Sequence, residues 1–384
     1  MPNRVMISGA IAAVPLFGAG NSWAFLQYVL GFRELGFDVY YVEQLNPDQV
    51  IDDEWQPTDF YSSANVRYFR NVIDRFHLTG STALFQSEGS GHVGLSRAEV
   101  EKIAPHIDLL INISGHLHIR SILSAARRRM YIDLDPGYTQ VWQAQYGADM
   151  NLPDHDVYVT VGLNLGEPDC PFPTCGIDWE KSLPPVVIDE WSMTCEERKV
   201  YSTVADWRSF SPVEWRGIWY HQKAHEFKKI IDLPQRVNRP LELCLSIHPD
   251  ESDRLELEEH GWCLVSPELH AKTADTYRQY ITASRGEFTA AKHGYVAGRT
   301  GWFSDRSACY LAAGRPVIIQ DTGISSYLPT DSGLLTFTDI DSAAEAINNV
   351  ESNYSRHAAA AAAFAREFLD SKIVLPRLLQ AAGI

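Results

Sequence analysis

The sequence predicts an α/β protein of two facing domains, each a parallel sheet wrapped by helices, with a cleft between them and a long helix at the C-terminus. Three observations carry that expectation. The 384 residues exceed the length over which a single hydrophobic core keeps growing, so a division into two domains is the default. Short apolar runs alternate with helix-patterned stretches twice along the chain, as strands covered on both faces do. A proline-rich stretch of low periodicity, residues 166–185, parts the two blocks and reads as a linker. The domains are therefore set at 1–185 and 186–384, and the closing helix is a candidate to pack back on the N-terminal domain.

In the first block, "RVMISGAIAAV" is a strand, "PLFGAGNS" a glycine-bearing loop, "SWAFLQYVLGFRELG" an amphipathic helix ended by Gly36, and "FDVYYVEQ" a second strand. This β-loop-α-β order expects a right-handed crossover between parallel strands. "NVRYFRNVIDRFHL" reads as a helix and "LFQSEGSGHVGLSRAEVEKIA" as a loop leading into another. "IDLLINISG", "RMYIDLDPG" and "DVYVTVG" are strands closed by Gly or Pro. The second block gives strands at "YSTVADW", "LELCLSI", "HGWCLVS" and "RPVIIQD", and helices at "YHQKAHEFKKIIDLP", "ADTYRQYITAS" and "DSAAEAINNV", with a closing helix over 353–382. Ligands on open parallel sheets sit beyond the carboxyl ends of the strands, so two such edges define an interdomain site.

Composition narrows the class. Apolar residues make up 45% and charged residues 21%, with 10 Trp, 17 Tyr and 16 Phe, enough to fill two cores. A formal charge of −16 repels nucleic-acid phosphates, and the single basic run Arg127-Arg128-Arg129 is too short to offset it, so a nucleic-acid partner is not expected. The sequence shows no signal-peptide pattern and no long apolar span, which leads us to expect a cytoplasmic protein without a membrane span. Cys170, Cys175, Cys195, Cys244, Cys263 and Cys309 are scattered; "CPFPTC" lacks a second Cys/His pair, and no structural-zinc spacing occurs, so no metal is expected.

The stretch "AAKHGYVAGRTGWFSDRSACYLAAGRPVIIQDTG" is the most informative. The turn Gly298-Arg299-Thr300-Gly301 feeds a helix whose N-cap is Ser304 or Asp305. A helix start presents unpaired N–H groups and a partial positive charge; Arg299 and Arg306 can add charge-assisted bonds, so an anion, foremost a diphosphate, fits there. The alternative is a helix that Ser304 and Asp305 merely cap.

The string Gly314-x-Pro316-Val317-Ile318 after that helix, then "QDTG", preceded by "GWCLVSPELH" and "TYRQYI", resembles the C-terminal donor-binding half of GT-B glycosyltransferases. The likeness runs from about Trp262 to Gly333, and extends more loosely to the whole chain through the "GAGNSW" loop and the two Rossmann-like blocks. It implies a nucleotide-diphosphate sugar as co-substrate, with UDP or dTDP as the carrier. It also implies Ser304, Asp305, Arg306 and Ser307 at the phosphates, Asp321 and Thr322 at the sugar hydroxyls, and Pro267 near the base; Lys292, between the "SRGEF" turn and that helix, is a further phosphate contact or an exposed surface lysine. Two features depart from the family: Gly301 stands where one branch has a His, and Gly301 and Cys309 stand where the retaining branch has paired glutamates. The stereochemical outcome and the base are left open.

The chemistry needs a neutralised leaving diphosphate and, for inversion, a base for the acceptor hydroxyl. The loop Gly18, Gly20, Asn21, Ser22 can approach the donor closely, or be a plain strand-helix turn. His116, after Gly115 at a strand end, has the side chain best suited to proton removal near neutrality, and His118 and His92 are lesser candidates. Asp133 and Asp135 are two apart and share a face if the strand continues; Asp133 is a candidate base, and Asp135 an acceptor contact or, since "DPG" is also ordinary turn chemistry, a turn former. Two other functions share this architecture, a sugar-nucleotide epimerase and a catalytically silent sugar-nucleotide-binding partner. The oligomeric state is not legible.

Overall fold

A computed structural model describes residues 3–193 and 196–384, which leaves Cys195 outside. Two parallel sheets form the frame. The first holds β1 (Arg4–Ser8), β2 (Asp38–Leu45), β3 (Thr82–Gln86), β4 (His92–Gly94), β5 (Leu109–Ile113), β6 (Arg129–Asp133), β7 (Val157–Thr160) and β8 (Glu180–Lys181), in the spatial order 4-3-2-1-5-6-7-8. Only the β3–β4 pairing is antiparallel. The order reverses between β1 and β5, which pair directly (Val5 with Leu109). Their carboxyl ends therefore diverge into a crevice.

The second sheet is built the same way from β9 (Tyr201–Asp206), β12 (Leu241–Ser246), β13 (Cys263–Val265), β14 (Gly286–Thr289), β15 (Val317–Gln320), β16 (Asp331–Ser332) and β17 (Leu334–Phe337), ordered 13-12-9-14-15-17-16. Here the reversal lies between β9 and β14. A separate hairpin, β10 (Val213–Trp215) and β11 (Ile218–Tyr220), follows β9; its two-residue turn Arg216-Gly217 has φ of 53° and 81°, the doubly positive pair that suits a right-twisted hairpin.

Several elements differ from the sequence reading, each for a local reason. The segment read as a loop at 84–95 holds the end of β3 and its return strand β4; four buried residues in a row are too few to show a period. In β14 the sequence "GEFT" carries Glu287, fully buried, and a charge inside a short run conceals a strand. The helix expected over 220–234 is confined to Lys223–Lys229, because Tyr220 belongs to the hairpin. The closing helix is interrupted: Tyr354–Phe364 continues through a π-turn, Ala365–Leu369, and a new helix begins at Ser371. Asp370 caps it through the Lys372 N–H (2.9 Å), and there the chain crosses between domains, with the Val186 N–H bonded to Leu369 O and the Ser371 N–H to Val186 O.

The helix Ser371–Ala381 lies against the first helix, Ala19–Glu34. Gly31 makes this approach possible: a β-carbon there would stand 2.7 Å from Leu375 Cδ1 and 2.8 Å from Ser371 Cβ. The first helix also reaches the C-terminal domain, where Trp23 donates its indole N–H to Ala274 O (2.9 Å) and packs on Trp191. Among the described residues no helix is long and apolar enough to cross a membrane. Gly31→Val should cost about 1 to 3 kcal/mol, the usual penalty of overpacking, and loosen the last helix; hydrogen exchange would read the loss as faster exchange in 371–381, and unchanged rates there would refute the packing role.

Candidate functional site

The two crevices at the sheet reversals face each other. On the N-terminal side stand the loop after β1, His116 after β5, and Asp135 after β6. On the C-terminal side stand Lys292 after β14 and Lys223, first residue of the helix that follows the hairpin. The two sides touch through Asp135, whose carboxylate pairs with Lys292 Nζ (2.8 Å) and accepts a short hydrogen bond from the Tyr295 hydroxyl. Burial alone would raise the Asp135 carboxyl, but the Lys292 charge and these bonds hold it below the ordinary range. Lys292 also lies over the Phe210 ring at 4.1 Å. Tyr138 donates its hydroxyl to His221 O (2.7 Å) and completes the contact.

Lys223 is the unexpected member. Its side chain is buried, 7% exposed, and among the described residues it has neither hydrogen bond nor ion pair. Burial, then the charge of Arg306, pushes its ammonium well below the ordinary lysine range, with Lys292 adding to the effect and Glu287 and Asp206 opposing it. A buried ammonium without a counter-ion is costly; three cations, Lys223, Lys292 and Arg306, gather where the second sheet reverses. Two buried hydroxyls nearby in sequence, Ser307 Oγ and Thr300 Oγ1, also lack partners.

The residues singled out by sequence divide into several groups. Ser304 is the N-cap of the helix Asp305–Ala312, accepting the Arg306 N–H at 3.2 Å. Arg306 turns away from that helix start, donating to Glu287 Oε1 (2.6 Å), Val204 O (2.9 Å) and Thr289 Oγ1 (3.3 Å). Its charge is felt at Lys223. Asp305 is half-buried, and burial raises its carboxyl. The turn Gly298–Gly301 is used by the interdomain contact: Arg299 pairs with Asp169, and Asn164 bonds Arg299 O (2.7 Å). Gly301, at φ 70°, has no room for a β-carbon, which would fall 2.5 Å from Asn164 N. Thr322 donates to Trp302 O (2.7 Å), and Asp321 caps the next turn through Gly323 N–H and Ser325 Oγ. Pro267 opens a short helix, Pro267–His270, capped by Ser266.

In the N-terminal domain, Gly18 passes close under Val14 O, 2.0 Å from where a β-carbon would be, and Gly20 faces Tyr277 of the other domain. Asn21 donates to Ala10 O, and Ser22 bonds the Tyr68 hydroxyl (2.8 Å). The shared face expected for Asp133 and Asp135 is absent, because β6 ends at Asp133. Asp133 is fully buried and accepts from Thr139 (2.7 Å), Gln140 (3.0 Å), Thr160 (2.9 Å) and the Asp135 N–H (3.1 Å), which anchors the turn that presents Asp135. His116 is half-buried beside Phe25. Burial and His118 lower its pKa to about 4, with Asp135 opposing, so the imidazole is neutral near pH 7. His118 and His92 are exposed.

Sequence reasoning missed Lys223, Glu287, Tyr295 and Glu43. A signal existed for the first: in "KAHEFKKI" Lys223 shares a helical face with Glu226, Phe227 and Ile230, all buried, so a charge sits on the apolar stripe. Glu43, at the end of β2, holds the loop after β1 by accepting the Ala12 N–H (2.8 Å), the Ala13 N–H (2.9 Å) and the Tyr41 hydroxyl (2.8 Å). The ligand atoms of His225, Glu226 and His293 lie within 4.8 Å of one another, a spacing a metal could close. Two of the three are already engaged: His293 Nδ1 accepts the His221 N–H (3.1 Å), which leaves its proton on Nε2, and Lys229 Nζ stands 2.6 Å from the Glu226 carboxylate.

Two Rossmann-like domains with opposed switch-point crevices define the GT-B fold. No protein-family model matches the sequence, and no curated protein sequence matches it either. Similar solved structures include an alpha-glucosyltransferase in complex with UDP-glucose and DNA containing an abasic site, at TM-score 0.59 and 12% identity over 100% of both chains. Anabaena Alr3699/HepE in complex with UDP superposes at TM-score 0.57 and 10% identity, over 98% of both chains. AviGT4, a glycosyltransferase involved in avilamycin A biosynthesis, does so at TM-score 0.57 and 10% identity, over 99% of this chain and 97% of its own. At these identities the likeness is one of fold.

Burial lifts the Glu43 carboxyl from its ordinary 4.5 to about 7, against the pull of its three donors. The native state thus keeps a proton that the unfolded chain releases, so the stability tied to this group is full below about pH 4.5 and is lost as pH rises through about 7. Urea denaturation from about pH 5 to 8 should show the wild type losing up to about 3 kcal/mol that Glu43→Gln retains; parallel curves would contradict the shift.

Proposed function

We propose that this chain is a glycosyltransferase that takes a nucleotide-diphosphate sugar, a UDP-hexose first among the candidates, and transfers the sugar to a hydroxyl of a small molecule or glycan. The observation that carries the reading is the buried Lys223, without a hydrogen bond or ion pair among the described residues, beside Arg306 and Lys292. A diphosphate set against Lys223 and Lys292, near the start of the helix Asp305–Ala312 with its free Ser307 hydroxyl, supplies the missing negative charge. The UDP and UDP-glucose named for the similar structures support the donor class. The charge of −16 favours a glycan or small molecule over DNA as acceptor.

The residues then divide the work. Lys223 and Lys292 stabilise the negative charge that grows on the leaving diphosphate, in a site shielded from water where such charges act strongly. Arg306, held by Glu287, keeps the local potential positive without touching the ligand. As the diphosphate engages Lys292, Asp135 is released toward the acceptor, and the neutral His116 beside it offers a nitrogen that can accept the acceptor's hydroxyl proton. Asp133 acts only by holding the turn.

Lys223→Met tests this directly. UDP binding should weaken at least about tenfold, a loss of about 1.4 kcal/mol or more, while the ligand-free variant melts at the same or a higher temperature, since an unpaired buried charge has been removed. Unchanged UDP affinity would refute the assignment. Release of UDP from a UDP-sugar by the wild type separates a transferase from a silent binding protein, which would leave the donor intact.

A further inference from the structure

Beside the cleft, on the C-terminal domain, a cavity of about 200 Å³ is lined by Arg208, Phe210, Pro212, Gln222, His225 and Lys228, with His221 and Ala224 completing its wall. Gln222 is 4% exposed; its Oε1 accepts the Ser209 hydroxyl (3.1 Å), but its Nε2 has no partner. An amide nitrogen left unpaired in a buried position costs free energy unless something outside the fold satisfies it. The rings of His221 and His225 stack at 4.7 Å, and the nitrogens of both carry no hydrogen bond among the described residues. Phe210 adds an aromatic wall.

The charges in the wall are already balanced. Arg208 is held by Glu251 (3.1 Å) and Asp253 (2.7 Å), and Lys228 by Asp253 and Glu256 (3.4 Å). Two cations faced by three carboxylates do not select an anion; what remains on offer is a set of hydrogen-bonding groups around an aromatic ring. A pyranose matches that set, because its hydroxyls accept and donate at the rim while its C–H face packs on an aromatic surface by dispersion.

We propose that this cavity is a saccharide subsite that holds one pyranose unit of the acceptor, with Gln222 Nε2 donating to a sugar hydroxyl. The placement fits an extended acceptor. Phe210 lies 4.1 Å from Lys292 Nζ on one side, and His221 O receives the Tyr138 hydroxyl of the N-terminal domain, so the cavity adjoins the cleft without sharing its cations. The inference rests on the transferase reading, which it narrows to a glycan acceptor.

The test uses the full chain, free and saturated with UDP, titrated with glucose, galactose, mannose and their disaccharides and followed by ligand-observed NMR. At least one sugar should bind in both states. Gln222→Leu and the isosteric Gln222→Glu should each weaken that binding about tenfold while UDP affinity stays unchanged. Absence of any sugar binding, binding that both variants retain, or binding of inorganic phosphate in place of sugars would each overturn the subsite. If UDP fails to bind the wild type, the donor reading falls, whereas Gln222-dependent sugar binding would still establish the subsite by itself.

Discussion

The positive field at the reversal of the second sheet is what the rest of the site depends on. Lys223, Lys292 and Arg306 converge there, and Glu287, Asp135 and Asp206 answer them. The protein tolerates a lysine buried without a partner because neighbouring groups are placed to accept its cost: β14 carries Glu287 to hold Arg306, and the Asp133 anchor holds Asp135 across from Lys292. Removing water from such a site strengthens every electrostatic interaction in it. A polyanion entering the cleft therefore gains more from these cations than it would at the surface.

This arrangement links the charge to the domain interface. Asp135 pairs with Lys292 and Tyr295, and Tyr138 bonds His221 O, so the same segment that offers Lys292 to a ligand also ties the domains together. An anion that competes with Asp135 for Lys292 acts on the closure of the cleft and on the freedom of Asp135 at once. In the proposed function, one ion pair couples donor occupancy to readiness for the acceptor, with no further moving part.

Much of the frame was legible in the sequence, because apolar runs closed by Gly or Pro announce buried parallel strands, and the Gly314-x-Pro316 string with its preceding capped helix announces the second Rossmann-like half of a GT-B fold. Among the hidden strands were short or charged ones: β3, with four buried residues in a row, and β14, with Glu287 in its middle. Which of the candidate site residues are engaged within the fold was not legible. Arg306 read as a ligand contact because Arg near a helix start suits phosphate, yet Glu287, distant in sequence and inside an unrecognised strand, takes its guanidinium. Asp133 and Asp135 read as a facing pair because alternation was extended past the end of β6. Lys223 escaped notice because one lysine in a lysine-rich helix looks solvated; only its register with Glu226, Phe227 and Ile230 tells otherwise.

The central claim, that Lys223 is a buried lysine whose charged form awaits a diphosphate, is tested most directly by the protons exchanged when UDP binds. Calorimetry over about pH 7 to 10 in buffers of different ionisation enthalpy measures that number, because burial and Arg306 depress the Lys223 pKa in the free protein and an arriving counter-ion restores it, so protons are taken up between the two values. The account predicts proton uptake that disappears in Lys223→Met. Tight binding without proton uptake, or uptake that persists in the variant, would contradict it.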